Sequence, residues 1–231
     1  MSTKIIDQFI DHLWLEDGLS KNTLNSYRFD LLIFVSWLAE TKKIELLDVS
    51  ELEIQEFLAF KFPTSKSRSI SRLLATLRRF FRFLLRENKI NEDPTLKIQT
   101  PKIPKSLPKS LSEDEVEGLL EAPDIKTDVG MRDRSMLELL YACGLRVSEL
   151  VGIQLTEVIL SDGVIRVTGK GSKTRLVPMG EEAVDWIKKY LAESRQNILN
   201  KQTSKFLFVT NRGGEMTRQA FWYLIKKYAL M

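Results

Sequence analysis

Three groups of residues in this sequence could do chemistry. The first is Gly144-Leu145-Arg146-Val147-Ser148-Glu149-Leu150, where a helical pattern stops at a glycine and an arginine stands on the tight connection to the next helix. Ser148 is placed to cap that next helix. An arginine so presented is available to a ligand, and it equally suits an ion pair with a nearby carboxylate. The second is Lys170 within Gly169-Lys170-Gly171-Ser172-Lys173, a turn between two strand-like runs; taken alone, a lysine between glycines also fits a solvent-exposed turn. The third is a row of arginines. At 100° per residue, Arg68, Arg72, Arg79, Arg82 and Arg86 fall on one side of a helix whose other side carries Ile70, Leu73, Leu74, Leu77, Phe81 and Leu84. Arg78 lies at the border. Such a row is either a solvated face or a surface for duplex DNA, because planar guanidinium forks fit phosphates and guanine edges.

The charge distribution favours the second reading. The net charge is only +4, yet residues 64–89 hold eight basic groups against one acidic, whereas residues 1–63 hold six against eleven. Residues 111–231 are balanced, so the positive field is local, as in nucleic-acid binders.

These groups need elements to hold them. Four of the seven prolines (Pro94, Pro101, Pro104, Pro108) fall within 93–109, and proline lacks the backbone donor that a helix needs. The chain therefore reads as a helical domain over 1–92, a Pro/Lys-rich linker over 93–109 and a mixed domain over 110–231. The first reads as four helices: around Ile6–Leu13, from Ser20 or Asn22 through Leu38, from the capping-box pair Ser50 and Glu53, and about 22 residues from Thr64 or Ser65. In the second, helices are expected from Ser112-x-x-Glu115, over Met131–Tyr141, over Glu181–Ser194 and after Thr217. Val164–Thr168 and Arg175–Val177 alternate as a hairpin, and Phe206–Val209 reads as a short strand. The fold class is thus mainly α with a small antiparallel sheet.

Several functions are excluded. Hydrophobic residues make up 43% and charged residues 29%, which argues against wholesale disorder. Cys143 is the only cysteine, so no intramolecular disulfide can form and a reducing cytoplasm is expected. No apolar run nears membrane-spanning length, so no membrane insertion is expected. The glycine turn is not a phosphate loop, because Val164 and Gly171 stand where that motif needs a glycine and a Ser or Thr. A single histidine, His12, argues against histidine-based metal sites and catalytic triads.

Taken together, the segments resemble the tyrosine recombinase (phage integrase) family, and within it the bacterial Xer type. Asp17-Gly18-Leu19-Ser20-x-Asn22-Thr23-Leu24-x-x-Tyr27-Arg28-x-Asp30-Leu31 resembles its N-terminal DNA-clamp domain. Leu137–Gly152 resembles its first arginine motif and Val164–Pro178 its lysine hairpin. Met216-Thr217-Arg218-Gln219-x-Phe221-Trp222 resembles the helix before its second catalytic box.

The resemblance implies an all-α core-binding domain followed by part of an α+β catalytic domain, cutting DNA through a 3′-phosphotyrosyl intermediate without a cofactor. It implies Arg146 and Lys170 as catalytic residues, the first gripping the phosphate and the second protonating the leaving oxygen. Glu149 is implied as their support. Arg68, Arg72, Arg79, Arg82, Arg86 and Lys173 are expected on DNA, Lys173 also being the rival for the lysine role. The implied partners are a dif-like duplex, a second Xer recombinase in a heterotetramer and a septal DNA translocase, in chromosome dimer resolution. The family's second Arg/His box and nucleophilic tyrosine have no counterpart in these 231 residues. The chain is therefore expected to be inactive alone, the alternative being a non-catalytic DNA-binding regulator.

Overall fold

The computed structural model describes residues 2–101, 110–169 and 173–231. The chain divides into two compact units, Met1–Leu107 and Pro108–Met231.

The first unit is built on helices α1 (Ser2–Asp17), α2 (Lys21–Trp37), α3 (Glu51–Lys61) and α4 (Ser67–Arg86). Ser20 caps α2 by accepting from the amide of Thr23. Ser50 and Glu53 form the expected capping box on α3. Helix α4 starts at Ser67 rather than Thr64 or Ser65, because Phe62–Thr64 is wound into a tight 3₁₀ turn around Pro63. It buries Ile70, Leu73, Leu74, Leu77, Phe81 and Leu84, and also Phe80 and Phe83. Phe80 meets Phe9 of α1 edge-on at 5.2 Å, and Phe34 of α2 lies 4.8 Å from Phe57 of α3. Full burial of each such side chain contributes about 1.5–3 kcal/mol.

Residues 93–100, the start of the expected linker, are fastened to the first unit. Thr95 donates to Asp93 through both its amide and its hydroxyl, and Ile98 is buried in the core of this unit. Arg78, the border arginine, donates to the Ile98 carbonyl and to the Thr100 hydroxyl. The prolines do break the helix, but one apolar side chain and one arginine fasten the segment back onto α4.

The second unit begins with α5 (Glu113–Glu121), capped by Ser112 and Glu115. Helix α6 (Asp128–Cys143) starts two residues before Gly130, where an added Cβ would lie 1.9 Å from the Asp124 carbonyl oxygen. After α7 (Val147–Gly152) come strands β1 (Val158–Ile159), β2 (Val164–Thr168) and β3 (Thr174–Pro178), antiparallel in that order. Strand β1, absent from the sequence reading, is only two residues long. In β2–β3, Ile165 faces Val177 and Val167 faces Arg175. Helix α8 (Glu181–Lys189) continues through a wide turn, Tyr190–Ser194, into α9 (Arg195–Leu199). Helix α10 (Arg218–Tyr228) is capped by Thr217.

Phe206–Val209 is not a strand. Phe206 makes one bridge, to Gln154. The buried Arg195 takes the carbonyls of Ser204, Phe206 and Leu207, and the buried Arg132 takes that of Val209. Acceptors spent on guanidinium groups cannot serve a sheet ladder. Arg132 also binds Asp133, whose other oxygen accepts from the Tyr228 hydroxyl at 2.9 Å, tying α10 to α6. No described helix is long and apolar enough to cross a membrane.

Candidate functional site

Helix α6 ends because Gly144 turns left-handed, at φ 55°. Arg146 then becomes the residue that caps α7. Ser148, expected in that role, lies inside α7, and Glu149 does the capping chemistry: its Oε2 accepts from the Arg146 amide at 2.9 Å. The same carboxylate accepts from Arg146 Nη1 at 2.9 Å. The ion pair foreseen for Arg146 therefore exists, yet it uses one nitrogen and leaves the side chain 68% exposed, against 5% for Glu149.

A second arginine completes the cluster. Arg175 of β3 places Nη1 3.0 Å from Glu149 Oε1 and Nη2 2.9 Å from Oε2. This fork is the largest of the effects that hold the Glu149 carboxyl down at about 2, with the Arg146 amide and side chain adding to it and burial opposing. The sequence reading missed Arg175. Nothing local marks it, because Arg175 is exposed and reaches Glu149 only once β3 is in register with β2. Gly169 approaches the cluster so closely that a Cβ there would lie 3.3 Å from Arg175 Nη1. Lys173 is exposed, and its carbonyl closes the hairpin by accepting from Gly169 at 2.8 Å. Lys170 lies outside the described residues.

Cys143, at the end of α6, is half-buried with Sγ 3.4 Å from the Pro178 carbonyl, and burial pushes its thiol up. That is a packing role. His12 sits in the other unit, stacked on Phe83 at 5.2 Å and beside Glu16 and Arg86.

The arginine row of α4 divides into two sets. Arg72 pairs with Asp30 of α2 at 3.0 Å, Arg79 with Asp17 of α1, and Arg86 with Glu16 of α1 at 3.3 Å. Arg68 and Arg82 are exposed and have no carboxylate partner among the described residues. Carboxylates of α1 and α2 thus screen part of a face that looked purely basic on α4 alone. Asp30 is buried, and burial raises its carboxyl although Arg72 and the Thr76 hydroxyl pull it down. Thr76, itself buried, donates to Asp30 at 3.1 Å.

Residues 109–230 match the phage integrase family, and residues 6–88 match its N-terminal SAM-like domain. The chain belongs to the phage integrase, or tyrosine recombinase, family. It is 51% identical over 228 residues to tyrosine recombinase XerD of Proteus mirabilis, covering 98% of this chain and 72% of that relative. It is 54% identical over 226 residues to XerD of Pseudomonas putida strain KT2440, covering 97% of this chain and 76% of the relative. The fold matches a lambda integrase tetramer solved on a Holliday junction with TM-score 0.73 at 18% identity, over 98% of this chain and 62% of that one. It also matches XerH recombinase in a post-cleavage complex with a difH substrate, with TM-score 0.67 at 21% identity, over 89% and 62%. At those identities the structural likeness defines the fold.

Proposed function

We propose that this chain is the DNA-gripping and phosphate-clamping part of a Xer-type site-specific recombinase. The observation that carries the reading is the Gly144–Glu149 turn: in a chain about half identical to XerD relatives, it presents an exposed guanidinium anchored on a buried carboxylate. In this reading the arginine row of α4 and Lys173 contact duplex DNA. Arg146 takes two non-bridging oxygens of the phosphate to be cut, where charge gathers in the transition state. A tyrosine hydroxyl gives up its proton and attacks phosphorus. The bond to O5′ breaks as the tyrosyl–phosphorus bond forms. Lys170 protonates O5′ as it leaves. Attack by another strand's 5′-hydroxyl reverses the step and rejoins the DNA without a cofactor.

None of the five tyrosines here is assigned the nucleophile's role. Tyr190 and Tyr228 are buried, and their hydroxyls are held by the Val209 amide and by Asp133. Burial pushes the first up to about 12 and the second well above its ordinary value. Tyr27, Tyr141 and Tyr223 are more accessible, but none stands in a segment resembling the family's nucleophile motif, so this polypeptide by itself is read as binding DNA without cutting it. The proposed setting is the cytoplasm, with a second Xer recombinase in a heterotetramer and a septal DNA translocase, resolving chromosome dimers at division.

The test is binding to a dif-type duplex and to a scrambled duplex at fixed salt, with a suicide version of the site to trap covalent products. The expected result is preference for the dif-type duplex, with affinity weakened in Arg68→Ala/Arg82→Ala, and no covalent adduct. Equal binding to both duplexes overturns the recombinase reading. An adduct on any of the five tyrosines overturns the assignment of the nucleophile.

A further inference from the structure

The Glu149 carboxylate receives four hydrogen bonds. Oε1 takes Arg146 Nη1 and Arg175 Nη1, and Oε2 takes the Arg146 amide and Arg175 Nη2, all within 2.9–3.0 Å. That saturates the acceptor capacity of a carboxylate. The two arginines are not equivalent. Arg175 spends both terminal nitrogens on Glu149. Arg146 spends one, and its Nη2 and Nε have no partner among the described residues.

We propose that Arg175 is a positioning residue for the phosphate site. Its fork fixes the rotation of the Glu149 carboxylate, and so the direction in which Arg146 presents its remaining donors. This rests on the reading of Arg146 as the phosphate clamp.

Three features support it. A fork on both oxygens fixes the plane of the acceptor, which a single contact leaves free to turn. The link joins two elements distant in sequence, the α6–α7 turn and β3, so it also docks the hairpin on that turn. Gly169 packs directly on the cluster: an added Cβ would lie 3.3 Å from Arg175 Nη1 and in van der Waals contact with Glu149 Oε1 and Arg146 Nη1, at 3.5 and 3.7 Å. One buried carboxylate between two guanidinium groups also leaves a formal charge of one positive unit, as an anion site needs.

The experiment compares affinity for a dif-type duplex with affinity for the same duplex carrying an uncharged methylphosphonate at the phosphate to be cut. Arg146 contacts only the charged form well, so the wild-type chain is expected to prefer it about tenfold, the low end for a hydrogen bond to a charged group. Arg146→Ala brings the ratio to about one. Arg175→Gln is expected to do nearly the same while both duplexes remain bound through the first unit. Melting of the second unit would also bring the ratio to one, so the thermal melt of each variant is followed alongside and the ratio is read only below its transition. Arg175→Lys keeps the charge and loses the fork, so it carries the comparison if the glutamine variant melts early; its ratio is also expected to fall. A wild-type ratio retained in both Arg175 variants overturns the proposal. A ratio of one in the wild type overturns the clamp reading of Arg146 itself, and this proposal with it.

Discussion

The division of the α4 arginines into screened and unscreened sets makes a quantitative prediction about salt. Arg68 and Arg82 are exposed and form no ion pair among the described residues, whereas Arg72 and Arg86 are paired with Asp30 and Glu16. An unscreened arginine that meets a phosphate releases condensed counterions, and each contact steepens the slope of log K against log salt by about 0.9. The double variant Arg68→Ala/Arg82→Ala should therefore flatten the slope by about 1.8. Across a fourfold rise in salt, that amounts to about a tenfold smaller loss of affinity than in the wild type. The double variant Arg72→Ala/Arg86→Ala should flatten it less, because those side chains trade a carboxylate for a phosphate and the acid left behind repels DNA. Arg68→Ala/Arg82→Ala should leave the fold intact, whereas Arg72→Ala uncovers the buried Asp30 carboxylate, so the slopes are read at a temperature where both variants are shown to be folded. Fluorescence anisotropy with a labelled dif-type duplex, titrated at five salt concentrations, measures all three slopes. Equal flattening in the two variants would refute the claim that α1 and α2 screen this face.

Two further predictions concern the second unit. Tyr228→Phe removes the hydroxyl that donates to buried Asp133 and should cost about 1–3 kcal/mol in urea unfolding, the range for a buried polar group left unpaired; a cost below about 0.5 kcal/mol would place that bond outside the stabilising network. Glu149, held down to about 2, should keep its charge in the folded chain when other glutamates are titrating. Because its folded value is depressed, its contribution to stability is complete above the ordinary value of 4.5 and is lost as pH falls through about 2. A carboxyl ¹³C titration of Glu149 with a midpoint near 4.5 would contradict the fork.

Much of the helical framework could be read from periodicity and caps. Ser50 with Glu53, Ser112 with Glu115, and Thr217 each start a helix as expected, because capping is a local interaction between residues close in sequence. The apolar stripe of α4 was legible for the same reason. What escaped was long-range. The loop 204–209 has the composition of a strand, but two buried arginines from distant positions claim its carbonyls. The screening of the arginine row depends on Asp17 and Asp30, one or more helices away in sequence. Arg146 and Glu149 could be found as neighbours on a turn, whereas Arg175 meets them only once the hairpin is in register.

The grip of Arg195 and Arg132 on the 204–209 loop is addressed to the backbone, and every amino acid except for its side chain offers the same carbonyl. The loop can therefore drift in sequence at exposed positions such as Lys205 without losing its path, while the two arginines cannot be exchanged even for lysine. In a library that randomises this region, the tolerant and intolerant positions should fall on opposite partners of the same hydrogen bonds. Variation would collect on the acceptor side and constancy on the donor side.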